Sequence, residues 1–346
     1  MHSRLSSLVL ATVCILSFTA QAANKEVAKS YRAIGEIPIG GDGGWDYLAV
    51  DSAARRLYVT HGTKVHVIDL DKNAVIGVIE GTPGVHGVAL APDLKLGFTS
   101  NGAESKAATF DLSTLAISSR LETGANPDAI LYEPSQHEVY TFNGRGHSAT
   151  VFNAQSGQVT ATISLSGKPE FAVEDVKAGI VYNNIEDKNE VVVIDVRSHE
   201  VKHTWPAAPC ESATGMAIDT AHHRLFLGCG NKMMVMMDSS NGKVLANVPI
   251  GAGVDANAFD PSTQLAFTSN GEGNVTIAHE DSPTSLRVVQ TLETAKGART
   301  MALDPVTHKI YLVTADRIAN PEPNPTGERR SPYVPGTFKV LVYGLE

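Results

Sequence analysis

One phrase recurs along this chain and limits its fold more than any other feature. Residues 51–62 read DSAARRLYVTHG, and residues 304–315 read DPVTHKIYLVTA. Both run acidic residue, turn, basic residue, aliphatic, tyrosine, then a β-rich stretch. With Asp51 as anchor, equivalent positions fall at Ala91, Glu133, Glu174, Asp219, Asp260 and Asp304, spaced 40 to 45 residues apart. Seven residues after each anchor stand Tyr58, Phe98, Tyr140, Val181, Phe226, Phe267 and Tyr311. Six of these seven are aromatic in a chain that is 6% aromatic, which chance does not produce. Two residues before each anchor stand Ala49, Ala89, Leu131, Ala172, Ala217, Ala258 and Ala302.

Each unit continues alike, with a second β run, a hairpin signal such as VIDLDKNAV or MMDSSNGKV, and a further run such as VLANVPIG (244–251). Four short strands per unit of about 40 residues is the pattern of a β-propeller. A lone four-stranded sheet cannot cover its own two apolar faces, whereas sheets set around an axis cover one another. The reading is an all-β, seven-bladed β-propeller with four-stranded antiparallel blades. The seventh unit supplies FKVLVYGL (338–345) and then stops, and AIGEIPIG (33–40) matches VLANVPIG. Residues 31–39 are therefore expected to complete the last blade, removing two sheet edges.

The stretch RRLYVTHGTKVHVIDL (55–70) resembles the YVTN-repeat family of seven-bladed β-propellers, of the exported bacterial type, over essentially the whole chain after its first residues. Similar propellers include surface-layer proteins, lactonases and relatives of quinoprotein and haem-d1 enzymes. The resemblance implies the fold; no catalytic motif of those groups maps onto this chain residue by residue.

Residues 1–22 read as a cleavable signal peptide: Arg4, an apolar run at 8–18, and AQA at 20–22. No run is long enough to span a bilayer. A periplasmic or secreted protein is expected, with residues 23–346 forming one domain and a monomer as the working state. There are 28 Lys+Arg against 37 Asp+Glu, and loss of Arg4 deepens the negative balance. That charge argues against nucleic acid as a partner. Cys210 and Cys229 remain after cleavage, and an oxidising compartment makes a disulfide between them the expected state.

Five residues before each anchor lie Asp46, His86, Asp128, Pro169, Thr214, Asp255 and Arg299, with Glu170 beside Pro169 and Glu211 close to Thr214. Blade symmetry brings these to the top of one channel. Clustered carboxylates repel, so a cation or a shared proton should relieve them. Asp46, His86, Asp128 and Asp255 are candidate ligands for a divalent metal ion, the one cofactor the sequence suggests. His86, Asp128, Glu170 and Arg299 are candidate catalytic groups, with His86 as base and Arg299 orienting an anion. Hydrogen bonding at strand ends around a water-filled channel is the competing account. A second ring, ten residues after the anchors, holds His61, Asn101, Asn143, Asn184, Cys229, Asn270 and Thr314; its asparagines suit turns first and a ligand second. Arg145, Lys168 and Lys232 read as rim or surface charges.

Blade seven carries a proline-rich insertion, 315–335, expected to lie over the top face as a lid, a docking arm or a tolerated loop. DLDKNAVIGVIE (69–80) lacks the glycine of an EF-hand, and His222 and His223 fall in a bottom turn. Two functions from different classes follow. One is an exported propeller that binds a small ligand, a metal ion or a protein partner at its top face. The other is a metal- or His-assisted hydrolase or lyase, lactonase-like, using the same residues.

Overall fold

Packing of the aromatic column accounts for the blades. Tyr58, Phe98, Tyr140, Phe226, Phe267 and Tyr311 are fully buried. Each lies directly across the strand pair from a member of the alanine column, as in Ala49 opposite Tyr58 and Ala302 opposite Tyr311. Small residues on the innermost strands let these strands crowd the axis, and the rings fill the space where blades diverge. Each buried ring contributes about 1.5–3 kcal/mol.

The computed structural model describes residues 30–318 and 333–346. They form seven four-stranded antiparallel sheets. The innermost strands are Trp45–Asp51, Val85–Ala91, Pro127–Glu133, Pro169–Asp175, Ala213–Asp219, Val254–Asp260 and Met301–Asp304. Each of the first six sheets is built from four consecutive strands. In the seventh, Tyr31–Pro38 pairs outside Lys339–Leu345, so the chain's first described strand closes the ring as expected. Residues 1–22, expected to be a signal peptide, and most of the insertion, 319–332, lie outside the described residues. No helix among the described residues is long and apolar enough to cross a membrane.

The fourth repeat corrects the sequence register by one residue. Its innermost strand ends at Asp175, which pairs with Ile180 as Asp51 pairs with Arg56. Asp175 Oδ1 accepts the Ala178 N–H at 2.9 Å, just as Asp51 Oδ1 accepts that of Ala54 at 2.8 Å. The anchor is thus Asp175 rather than Glu174, and the aromatic column gains Tyr182, opposite Val173. The shift also moves Glu170, not Pro169, into the equivalent position at the mouth.

Cys210 and Cys229 form a disulfide, with Cα atoms 5.3 Å apart. It ties the loop before the innermost strand of blade five to the end of that blade's second strand.

Two predictions follow from this packing. Replacing both cysteines by serine should lower unfolding free energy by about 3 kcal/mol, the loop entropy returned to the unfolded chain; urea melts of the two forms measure it. Glu174 is mostly buried, and burial together with Glu133 holds its carboxyl up at about 7, against 4.5 ordinarily. The native state therefore binds this proton more tightly than the unfolded chain, and that contribution fades as pH rises from 4.5 towards 7. Glu174→Gln should match the wild type in stability at pH 4.5 and exceed it at pH 8; a gap independent of pH contradicts this.

Candidate functional site

A break in regular pairing places the mouth side chains. In each of the first six innermost strands the register shifts near the top: between Trp45 and Leu48, Val85 and Val88, Pro127 and Ile130, Pro169 and Ala172, Ala213 and Met216, and Val254 and Ala256. Asp46, His86, Asp128, Glu170, Thr214 and Asp255 each fall inside one of these irregularities. Bulges re-aim side chains, here towards the axis. In blade seven Arg299 stands two residues before the regular strand.

Hydroxyl and amide side chains hold these irregular backbones. Thr60 Oγ1 accepts the Asp46 N–H at 3.1 Å and donates to the Tyr47 carbonyl at 3.0 Å. Ser100 accepts the Gly87 N–H at 2.9 Å and donates to the Asp128 carbonyl in the next blade. Asn183 donates to the Glu170 carbonyl at 2.7 Å, and Ser269 donates to that of Arg299. Thr214 donates to Val254 across the blade five–six boundary at 3.0 Å. Each tie satisfies a backbone group freed by the bulge and fixes one mouth residue against its neighbour.

The result is a cavity of about 710 Å³ at the top of the channel. Asp46, His86, Asp128, Glu170, Asp255 and Arg299 all line it, and so does Thr214. His86 Nδ1 lies 2.6 Å from Asp46 Oδ2 and 3.6 Å from Asp128 Oδ1. Donor atoms of these three residues lie within 4.8 Å of one another. Arg299 Nε is 3.0 Å from Asp255 Oδ2. Lys168 Nζ sits between Glu170 Oε1 at 2.5 Å and Glu186 Oε2 at 2.6 Å.

Burial and crowding shape the charges. Burial lifts Asp128 to about 6, and Asp46 adds repulsion against the pull of His86. Asp255 is lifted to about 7 by burial, with Arg299 opposing and Asp46 and Asp128 adding. Burial and Asp128 push Glu170 up while the Lys168 ion pair resists. Burial disfavours charge on His86, but its hydrogen bond to Asp46 and the fields of Asp128 and Glu170 outweigh that and raise it. Tyr47, buried beside four carboxylates, is held well above the ordinary phenol range. Three carboxyls raised together mark a site where added positive charge is favourable.

Not every expected residue converges. Asp255 is engaged by Arg299 and stands outside the Asp46–His86–Asp128 donor group. Glu211 is exposed and does not line the cavity; its N–H donates to Asn231 Oδ1 at 3.3 Å. The second ring is buried behind the cavity wall and does not line it. His61 is buried, stacked 4.0 Å from Phe338 and 3.3 Å from His66. Asn101 donates to Glu104 at 2.9 Å, Asn143 to Ser148 and Thr150 at 3.1 Å, and Asn270 to Asn274 at 2.8 Å. In the fourth blade the corrected register puts Ile185, not Asn184, at the ring position; Asn184 instead donates to the Thr214 carbonyl at 3.1 Å, supporting the mouth from behind.

Other wall residues carried little sequence signal. Lys168 reads as surface charge until its two carboxylate partners are seen. Trp45, immediately before Asp46, packs against Tyr333 in a tilted arrangement at 4.6 Å and stacks on Phe338 at 5.2 Å. Arg317 lies 5.2 Å from the Tyr333 ring. Arg317 and Tyr333 stand near the two ends of the insertion, which thus form one aromatic and cationic side of the cavity.

No family model and no curated protein matches the chain. Among solved structures it is similar to Kuenenia stuttgartiensis hydrazine synthase, at 14% identity and a TM-score of 0.67, covering 79% of this chain and 94% of that one. At that identity the likeness shows the propeller fold alone.

The position of His86 depends on the absence of a side chain at Gly102. A Cβ there would stand 2.6 Å from His86 Nε2. Gly102→Ala should therefore displace the imidazole from Asp46 with the blades intact. A His86 titration by NMR checks this: the raised pKa should fall towards the ordinary histidine value, and an unchanged titration contradicts the placement.

Proposed function

We propose that the channel mouth binds a small polar molecule with the help of a divalent cation held by Asp46, His86 and Asp128. The observation that carries this reading is the convergence of one imidazole and two carboxylates, from three successive blades, on the wall of an open cavity. Mixed nitrogen and oxygen donors suit Zn²⁺ or Mn²⁺ better than Ca²⁺. The cation would relieve the burial cost and the repulsion that together lift Asp128 and its neighbours. Arg299 and Lys168 lie across the same cavity and offer charge to an anionic group, while Trp45 and Tyr333 offer a face to an apolar part. A concave site of this kind fits a small molecule better than a protein surface. The signal-like segment 1–22 and the disulfide support an exported protein, and the YVTN-like repeat supports kinship with exported propellers.

A second reading is turnover by a hydrolase or lyase. The 2.6 Å His86–Asp46 contact favours it, because a carboxylate that orients an imidazole raises its strength as a base. The metal reading and this one share residues but differ in what a conservative variant does.

The test is native mass spectrometry and elemental analysis of the exported chain, followed by titration with MnCl₂. Asp46→Asn with Asp128→Asn should remove one ion per chain and weaken Mn²⁺ binding at least tenfold. Equal metal content in wild type and double variant would refute the cation site. His86 would then stand as a metal-free base, and a lactone panel assayed with His86→Ala would test the enzyme reading.

A further inference from the structure

A second cluster lies at the opposite end of the ring, between blades five and six. Asp219 and His222 come from the bottom turn of blade five, and Glu280 comes from the third strand of blade six. Their donor atoms lie within 4.8 Å of one another. Asp219 and Glu280 are buried, while the His222 side chain is half exposed.

Glu280 is out of place by the logic of the repeat. In each of the first six blades one residue at or near the end of the third strand donates its N–H to the carbonyl of the residue before the second strand. Leu70, Leu112, Ala154, Val196 and Ser239 fill this position in blades one to five, and Glu280 fills it in blade six. All are buried, and four of the first five are apolar plugs. Blade six thus puts a carboxylate where its siblings put a plug. Its Oε2 is buried and has no hydrogen-bond partner among the described residues. An unpartnered buried carboxylate oxygen is costly, and a second buried carboxylate beside it adds repulsion.

Arg224 is the nearby cation, and it does not resolve this. Its Nε lies 3.7 Å from Glu280 Oε1, and its Nη1 lies 3.7 Å from Asp238 Oδ2. Both are beyond hydrogen-bond reach. Its Nη1 donates instead to the His223 carbonyl at 2.8 Å, and its Nε is also unpartnered. Asp219 Oδ2 faces His222 Nδ1 at 2.6 Å, and its Oδ1 accepts the Ala221 N–H at 2.9 Å.

We propose that Asp219, His222 and Glu280 form a second divalent-cation site on the bottom face, suited to Zn²⁺. Zinc accepts imidazole nitrogen and carboxylate oxygen as ligands, and three protein ligands leave the fourth position to water. The exposed imidazole gives access from solvent and can turn to admit the ion. The site shares no residue with the mouth and stands independently of the reading given for it. An ion here would pin blade five to blade six.

The test uses the untagged full chain carrying Asp46→Asn and Asp128→Asn, dialysed against ZnCl₂ and assayed for bound zinc. One zinc per chain should remain. Adding His222→Ala should weaken it at least tenfold, and Glu280→Leu should do the same while keeping the blade intact, since leucine stands at positions 70 and 112. If the Glu280 variant does not fold by circular dichroism, the half-exposed His222 decides alone. No bound zinc in the mouth-deficient chain, or binding undiminished by His222→Ala, would overturn the proposal. Equal zinc content in that chain and the wild type would instead count against the mouth site only.

Discussion

The structure depends on closing a ring. Tyr31–Pro38 pairs with Lys339–Leu345, and Ser30 and Glu346 exchange both backbone hydrogen bonds at 3.0 and 3.1 Å. The same segment reaches the neighbouring blade: the Tyr31 N–H and carbonyl both bond to the Gln290 amide, and its ring meets Phe267 edge-on at 5.2 Å. Without closure, the seventh sheet would lose its outermost strand, and Asp46 of the first blade would have no fixed relation to Arg299 of the last. The channel mouth is a property of the closed circle, since each blade gives it about one side chain.

Closure sets the distance between blades, and the bulges decide what points inward. Regular pairing would carry the top residues of each innermost strand alternately into the two blade interfaces, where apolar side chains belong. A shifted register frees one polar residue per blade, and serine, threonine and asparagine from second strands hold the loosened backbone. The cost appears in the titration of the site. Asp128, Glu170 and Asp255 are all pushed towards their neutral forms because burial and mutual repulsion act together. Arg299 and Lys168 offset part of this through direct ion pairs, leaving the Asp46–His86–Asp128 group as the part of the mouth with room for added charge.

Much of this was legible in the sequence, for physical reasons. Blade number and strand count follow from packing needs that repeat every 40 to 45 residues, so each is written several times; the closing strand shows in the match of 33–40 to another blade's fourth strand, and the disulfide in two cysteines of a chain expected in an oxidising compartment. The mouth residues share a position relative to the anchor, which is why Asp46, His86, Asp128, Asp255 and Arg299 could be picked out together. The fourth repeat was misread by one residue because Glu174 and Asp175 are adjacent acids and only the pairing with Ile180 shows which caps the turn. The second ring was ambiguous because asparagine serves a turn and a ligand equally well; burial and bonding to Ser148, Thr214 or Asn274 decide for structure. Trp45, Lys168, Arg317 and Tyr333 occur once each, outside the repeat, and one-off residues carry no periodic signal. Glu280 is the reverse case: it stands out only once the fold shows which apolar position it occupies.

The central claim is that ring closure and six bulged strands assemble one cation-binding mouth from Asp46, His86 and Asp128. Anomalous X-ray scattering from crystals grown with MnCl₂ tests it most directly. The account predicts a manganese peak within coordinating distance of all three side chains, at the top of the channel. A mouth without such a peak, with those three side chains directed into separate blade interfaces, would contradict it.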